Sequence, residues 1–140
     1  MLVPFLAVLC SCSLPLDPLN GSTSTPRDLL GPVWELVSFQ TSGGRILELH
    51  SWEIYHVTFE SVSRFNGRAD CNTIFGNYDA EQAGIISVRS VGTTYVGCRE
   101  GSHDSEYVHA FASAKAYERQ GDYLKVGFGR HGVLLYKKSK

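Results

Sequence analysis

Charge of either sign is sparse in this chain. Its 13 Lys and Arg stand against 14 Asp and Glu, for a net charge of -1 over 140 residues. That balance argues against a dedicated nucleic-acid binder, which carries a basic stripe. The one basic cluster, Lys137, Lys138 and Lys140, reads first as a solvated chain end and second as a weak attraction to anionic headgroups. Long apolar runs are also missing: beyond the first nine residues no segment reaches the length of a membrane span. Cysteine is limited to four residues, with no Cys-x-x-Cys frame. None of the five histidines, His50, His56, His103, His109 and His131, forms an i, i+4 pair, so the usual zinc frames are lacking. A glycine-rich phosphate loop, a Gly-x-Ser-x-Gly elbow and a clustered carboxylate pair are absent too. Asp79 and Glu81 fall in an expected turn. No catalytic residue, metal ligand or cofactor is expected.

What is present begins with a leader. Leu2 to Leu9 is apolar apart from Pro4. The run has the length of a signal-peptide hydrophobic region and is too short to span a bilayer. Leu9-Cys10-Ser11-Cys12 follows and resembles a bacterial lipobox, with the small Ser11 next to the scissile bond. Cleavage there makes residues 1–11 a signal peptide and places a diacylglycerol on Cys12; Cys10 fits less well, since Leu9 would then take the small position. The pattern departs in one respect: no Lys or Arg precedes the apolar run, as signal peptides usually have. An unlipidated signal peptide and a buried N-terminal helix are the alternatives. Each buried methylene contributes only ~0.8 kcal/mol, so a stable anchor needs several acyl chains on Cys12. Ser13, not aspartate, follows Cys12, which goes with the outer membrane. Residues 12–31 hold three of the five prolines and a Ser/Thr run without helical or strand period. They are expected to form a flexible tether.

Residues 32–140 are expected to form one domain, since a hydrophobic share of 43% with 14 glycines and 16 aromatic residues suits one core built from short strands and turns. Strands are expected at 33–39, 45–49, 54–59, 64–68, 85–88, 91–96, 117–119, 123–128 and 133–136, from alternation and Gly-bearing turns. One helix is expected over 102–116, capped by Ser102, with Asp104 and Glu106 near its positive end. Tyr107, Phe111 and Ala114 recur at helical spacing and predict packing on a sheet. The fold class is therefore mainly β with one helix: a small antiparallel, barrel-like sheet of about eight strands, with the late helix packed on it.

Between these strands, residues 68–78 are polar and contain Cys71. Asn72, Thr73 and Asn77, with Thr94, are the candidate polar-loop residues, either lining a binding surface or satisfying the backbone of an irregular loop.

The order of landmarks resembles the META/HslJ domain family of bacterial envelope lipoproteins. Trp34-Glu35-Leu36 matches its opening strand. Asp70-Cys71-Asn72 followed by Gly76-Asn77-Tyr78 matches its Gly-Cys-Asn and Gly-x-Tyr motifs. Thr93-Thr94-Tyr95-Val96-Gly97-Cys98 matches its second cysteine motif, and Glu106, Gly121-Asp122-Tyr123-Leu124 and Leu134-Leu135 stand in the remaining places. Asp70 and Gly97 depart from the family's glycine and alanine; if that glycine serves a positive φ, Asp is among the better replacements but still costs energy. The resemblance implies a small β-rich domain without established catalytic activity, in a family linked with heat-shock expression, antibiotic tolerance, motility and secretion.

With Cys10 removed and Cys12 acylated, Cys71 and Cys98 remain as an even pair in an oxidising compartment, and a disulfide is expected between them; two separate buried thiols are the alternative. A nucleophilic cysteine would need a free thiolate beside a histidine, and no spacing pairs His56, His103, His109 or His131 with either cysteine. The expected function is non-catalytic: an envelope lipoprotein, membrane-held through Cys12, binding or stabilising an envelope protein or ligand. A cryptic enzyme working from the polar face near Cys71 and a secreted, unlipidated binding protein are the alternatives.

Overall fold

The computed structural model describes residues 24–140. The expected signal peptide, Cys12 and most of the tether lie outside the described residues. Nine strands form one antiparallel sheet: β1 (Val33–Gln40), β2 (Ile46–Leu47), β3 (Tyr55–Phe59), β4 (Arg64–Ala69), β5 (Asn72–Asp79), β6 (Ser87–Thr93), β7 (Ala114–Gln120), β8 (Tyr123–Phe128) and β9 (Gly132–Lys138). Eight lie in the order β6-β5-β4-β3-β1-β9-β8-β7, and β2 pairs with β1 off this path. The sheet curls into a half-barrel, and helix α1 (Asp104–Ala112) packs on it.

Alternation builds the wall. Tyr55, Val57 and Phe59 of β3 point inward, as do Leu124 and Val126 of β8. β1 reverses its parity midway. Trp34 and Leu36 face in, then Phe39, because the register against β9 shifts between Leu36 and Ser38. A bulge of this kind adds one unpaired residue and bends the strand. A second shift, between Ala114 and Ala116 against β8, likewise lets both Ala114 and Tyr117 face the core.

The helix supplies the other side of the core. Tyr107 and Phe111 are fully buried. The Tyr107 ring centroid lies 4.7 Å from that of Tyr55, and Phe111 meets Phe65 edge-on at 5.0 Å. The hydroxyls of Tyr107 and Tyr136 bond at 2.8 Å, which satisfies two polar atoms inside an apolar interior. Burial pushes the Tyr107 phenol up, well away from ionisation.

The barrel does not close fully. Next to β6 and β7, Ile85 and Ala116 form an isolated bridge, and the Ile86 N–H donates to Lys115 O at 3.2 Å. Beyond that contact the two end strands separate and α1 lies alongside β6.

Four expectations need correction. The polar stretch is not an irregular loop: residues 72–79 form β5, paired with both β4 and β6. Gly76 permits this pairing, since a Cβ there would collide with the Ser90 carbonyl. The separate strands expected at 85–88 and 91–96 are one strand, β6, with a register shift opposite Asn77 and Tyr78. The helix ends at Ala112, four residues early, because pairing with β8 overrides the helix propensity of Ala114 and Ala116. Last, residues 24–31 are packed structure, not tether. Pro26–Leu29 is a 3-10 turn, Leu29 is fully buried, and the Trp34 indole N–H donates to Leu29 O at 3.0 Å.

Candidate functional site

β4 and β5 are joined by a tight turn at Asp70 and Cys71. Asp70 has φ 55°, the only positive φ of a non-glycine among the described residues. A left-handed backbone is costly for a residue with a Cβ, least so for Asn and Asp. The side chain recovers part of that cost: it is buried, accepts the Ser102 hydroxyl at 2.7 Å and faces the Ile54 N–H at 3.4 Å. The family's glycine could not make those bonds.

Cys71 and Cys98 are joined, S–S 2.05 Å, with Cα atoms 5.5 Å apart. The bridge ties the β4–β5 turn to the segment after β6. Neither sulfur is a thiol, so no free cysteine is left among the described residues. Asn72 secures the same segment from inside. Its Oδ1 accepts the Val96 N–H at 2.8 Å and the Thr94 hydroxyl at 3.0 Å. Its Nδ2 donates to Val96 O at 3.1 Å and to the Asp104 carboxylate at 3.2 Å. Two donors and two acceptor sites are the full capacity of an amide. The Thr94 hydroxyl also accepts the Thr73 N–H at 3.0 Å. Asn72, Thr73 and Thr94 are thus brought together beside the disulfide. Asn77 stands apart, exposed on β5, with its Nδ2 donating to the Ser90 hydroxyl at 3.3 Å.

Beside this brace lies a cleft of about 560 Å³ between β6 and one face of α1. Val88, Val91 and Val108 give it an apolar floor, and Thr94, Tyr95 and His109 border it. Tyr95 is 93% exposed. The cleft's two full charges are engaged. Arg89 pairs with Asp79 at 2.9 Å, and Asp104 accepts from Asn72. The Glu81 backbone N–H and the Arg89 guanidinium hold the Asp79 carboxyl below its usual range.

A second polar group, not anticipated from sequence, pins the start of α1. The Glu53 carboxylate accepts from the Tyr55 hydroxyl at 2.6 Å, the His50 N–H at 2.7 Å and the His103 N–H at 2.8 Å. The His103 ring Nδ1 is 3.0 Å from Oε1. Ser102, expected as the cap, accepts the Asp104 N–H at 3.3 Å. Spacing gave no sign of this group, because His103, which joins it to the start of α1, lies fifty positions from Glu53. His50 stacks on Trp52 with centroids 4.9 Å apart, and Arg99 lies 4.8 Å from the Trp52 ring. Among the described residues no group of three or more His, Cys, Asp or Glu is placed to hold a metal ion, and no helix is long and apolar enough to cross a membrane.

A family model for the META domain matches residues 27–140. The chain belongs to the META domain family. This is not a known family of enzymes. The META fold recurs in solved structures. An NMR structure of a protein from Burkholderia xenovorans is similar at TM-score 0.67 and 16% identity, over 89% of this chain and 94% of that one. A crystal structure of a DUF4847 family protein from Bacteroides vulgatus is similar at TM-score 0.57 and 16% identity, over 80% of this chain and 95% of that one. At such identity the likeness shows the fold alone. No curated protein matches the chain.

Proposed function

We propose that this META domain is a non-catalytic binding module of the bacterial envelope, held at the outer membrane by lipid on Cys12, and that it binds or stabilises an envelope component during stress or antibiotic exposure. The observation that carries the reading is how the polar stretch is used. Asn72 spends its full hydrogen-bonding capacity on Val96, Thr94 and Asp104, and both sulfurs are bridged. These groups hold a wall rather than act on a substrate. Next to that wall the cleft between β6 and α1 remains open, with an apolar floor and a polar rim, the usual build of a recognition site.

The test is a comparison of three replacements in the organism of origin. Cys12→Ser removes the lipid. Ser105→Trp, at an exposed position on the cleft wall, fills the cleft. Lys125→Trp, exposed on β8, is the control. Deletion of the gene is expected to raise antibiotic and heat sensitivity, the first two replacements to reproduce that loss, and the control to behave as wild type. Full tolerance with Ser105→Trp, in a protein of unchanged melting temperature, would contradict the cleft's role. Full tolerance with Cys12→Ser and release of the protein to the medium would favour the secreted, unlipidated reading.

A further inference from the structure

The cleft beside Asn72 is apolar along most of its length and carries an uncompensated charge at one end. α1 packs against β6, so the cleft is a groove along their seam. Asp104, Val108 and Ala112 follow at i, i+4 and i+8 and present one helix face to it. From β6 come Val88 and Val91, brought to the same side by the register shift opposite Asn77 and Tyr78. The helical span from Asp104 to Ala112 is about 12 Å. Asp104 stands at the end where Thr94 and Tyr95 form the rim. Its Oδ2 accepts the Asn72 Nδ2 at 3.2 Å. Asn72 is neutral, so this bond leaves the charge of the carboxylate uncompensated. Among the described residues no ion pair includes Asp104, and no hydrogen bond reaches its Oδ1. The cation of the groove, Arg89, lies beside Val88 near the start of β6 and is held by Asp79 at 2.9 Å. The N–H groups at the start of α1 offset the charge only in part, being worth about half an elementary charge.

We propose that this groove binds a small amphipathic cation, an organic amine whose ammonium meets Asp104 and whose apolar body lies along Val91, Val108 and Val88. The inference rests on the binding reading above and names the chemistry of the ligand. The close packing of α1 on β6 leaves no room for a further strand, whereas a small molecule lying in the seam fits a volume of about 560 Å³. Charge complementarity sets the sign. An anion would be repelled by the Asp104 carboxylate, and a neutral ligand would leave its charge unpaired beside an apolar body. An ammonium donates to the open Oδ1 and supplies the missing counter-charge. Tyr95, 93% exposed, borders the same end and offers an aromatic face to the cation. The apolar body covers valine side chains that the protein leaves half-buried. The disulfide and Asn72 fix the Thr94–Val96 rim before any ligand arrives, which lowers the ordering cost of binding.

The test uses residues 12–140 with Cys12→Ser, isotopically labelled and with the disulfide intact, titrated with octylammonium, octanol and methylammonium. Octylammonium is expected to bind saturably with a Kd below about 1 mM and to shift backbone resonances of 87–95 and 104–112. Octanol, which lacks the charge, is expected to bind about tenfold more weakly. Methylammonium, which lacks the apolar body, is expected to give no saturation. Asp104→Asn is expected to weaken octylammonium about tenfold and to leave octanol unchanged, and Ser105→Trp to block both. The comparison of the three probes on the unsubstituted groove stands even where a variant misfolds. Equal binding of octylammonium and octanol would overturn the cation, and equal binding of methylammonium would overturn the apolar body. No saturable shift in those two segments would overturn the whole proposal. If octylammonium fails while Ser105→Trp still lowers tolerance, the ligand class is wrong and the binding cleft stands. Failure of both removes the cleft itself.

Discussion

The ring Nδ1 of His103 lies 3.0 Å from Oε1 of Glu53, a carboxylate whose side chain has no exposed surface. Burial alone pushes that carboxyl up. The Tyr55 hydroxyl, the His50 and His103 backbone N–H groups and the His103 ring together outweigh burial and hold the group below its usual range. The folded state therefore prefers the ionised form. Glu53 contributes stability above the unfolded carboxylate pKa and loses it as pH falls through the lower folded value. Glu53→Gln is expected to cost about 1–3 kcal/mol near neutrality. In urea titrations across the acid range, the gap to wild type should close as the pH falls. A gap independent of pH would show that the carboxylate's charge contributes nothing.

Asp70 sets two opposing effects against each other, a left-handed backbone at φ 55° and a buried bond to Ser102. Asp70→Ala keeps the strain and removes the bond, for an expected loss of about 3 kcal/mol. Asp70→Gly removes both and should be about 1 kcal/mol less damaging. Equilibrium unfolding of the two variants checks the order. Glycine more stable than the wild type would mean that the carboxylate's contacts add little.

Asn72 faces the Asp104 carboxylate through its amide nitrogen. Asn72→Asp keeps the acceptor for Val96 and Thr94 but sets two carboxylates against each other. A loss of about 2–4 kcal/mol is expected at neutral pH. The new group's pKa is raised by its neighbour, so its penalty is greatest at high pH and eases as pH falls through that raised value. Thermal melts over a pH series read this directly. A variant as stable as wild type at neutral pH would show that the amide is not braced as described.

Much of the wall was legible from alternation alone. Tyr55-x-Val57-x-Phe59 and Leu124-x-Val126 announce their faces because one side of each strand meets the core. β5 was harder to read, because two residues break that code: Ile74 and Tyr78 share the inward face, but Asn72 also points in and Phe75 points out. The exception at Asn72 has a physical basis: the inward amide meets partners from the Thr94–Val96 segment and Asp104. Likewise Ala114 and Ala116 look helical by propensity, and only the pairing with β8 turns them into strand. The cysteine pair was legible through compartment arithmetic. The Glu53 group was not, since His103 reaches it across fifty positions.

The most direct single measurement is the intact mass of the protein purified from native membranes, alkylated with and without prior reduction. We expect a chain beginning at Cys12, carrying acyl groups, with no alkylation until reduction and two additions afterwards, on Cys71 and Cys98. An unacylated chain whose Cys71 and Cys98 alkylate without reduction would contradict both the anchor and the bridge, and with them the reading of this domain as an envelope-held binding module.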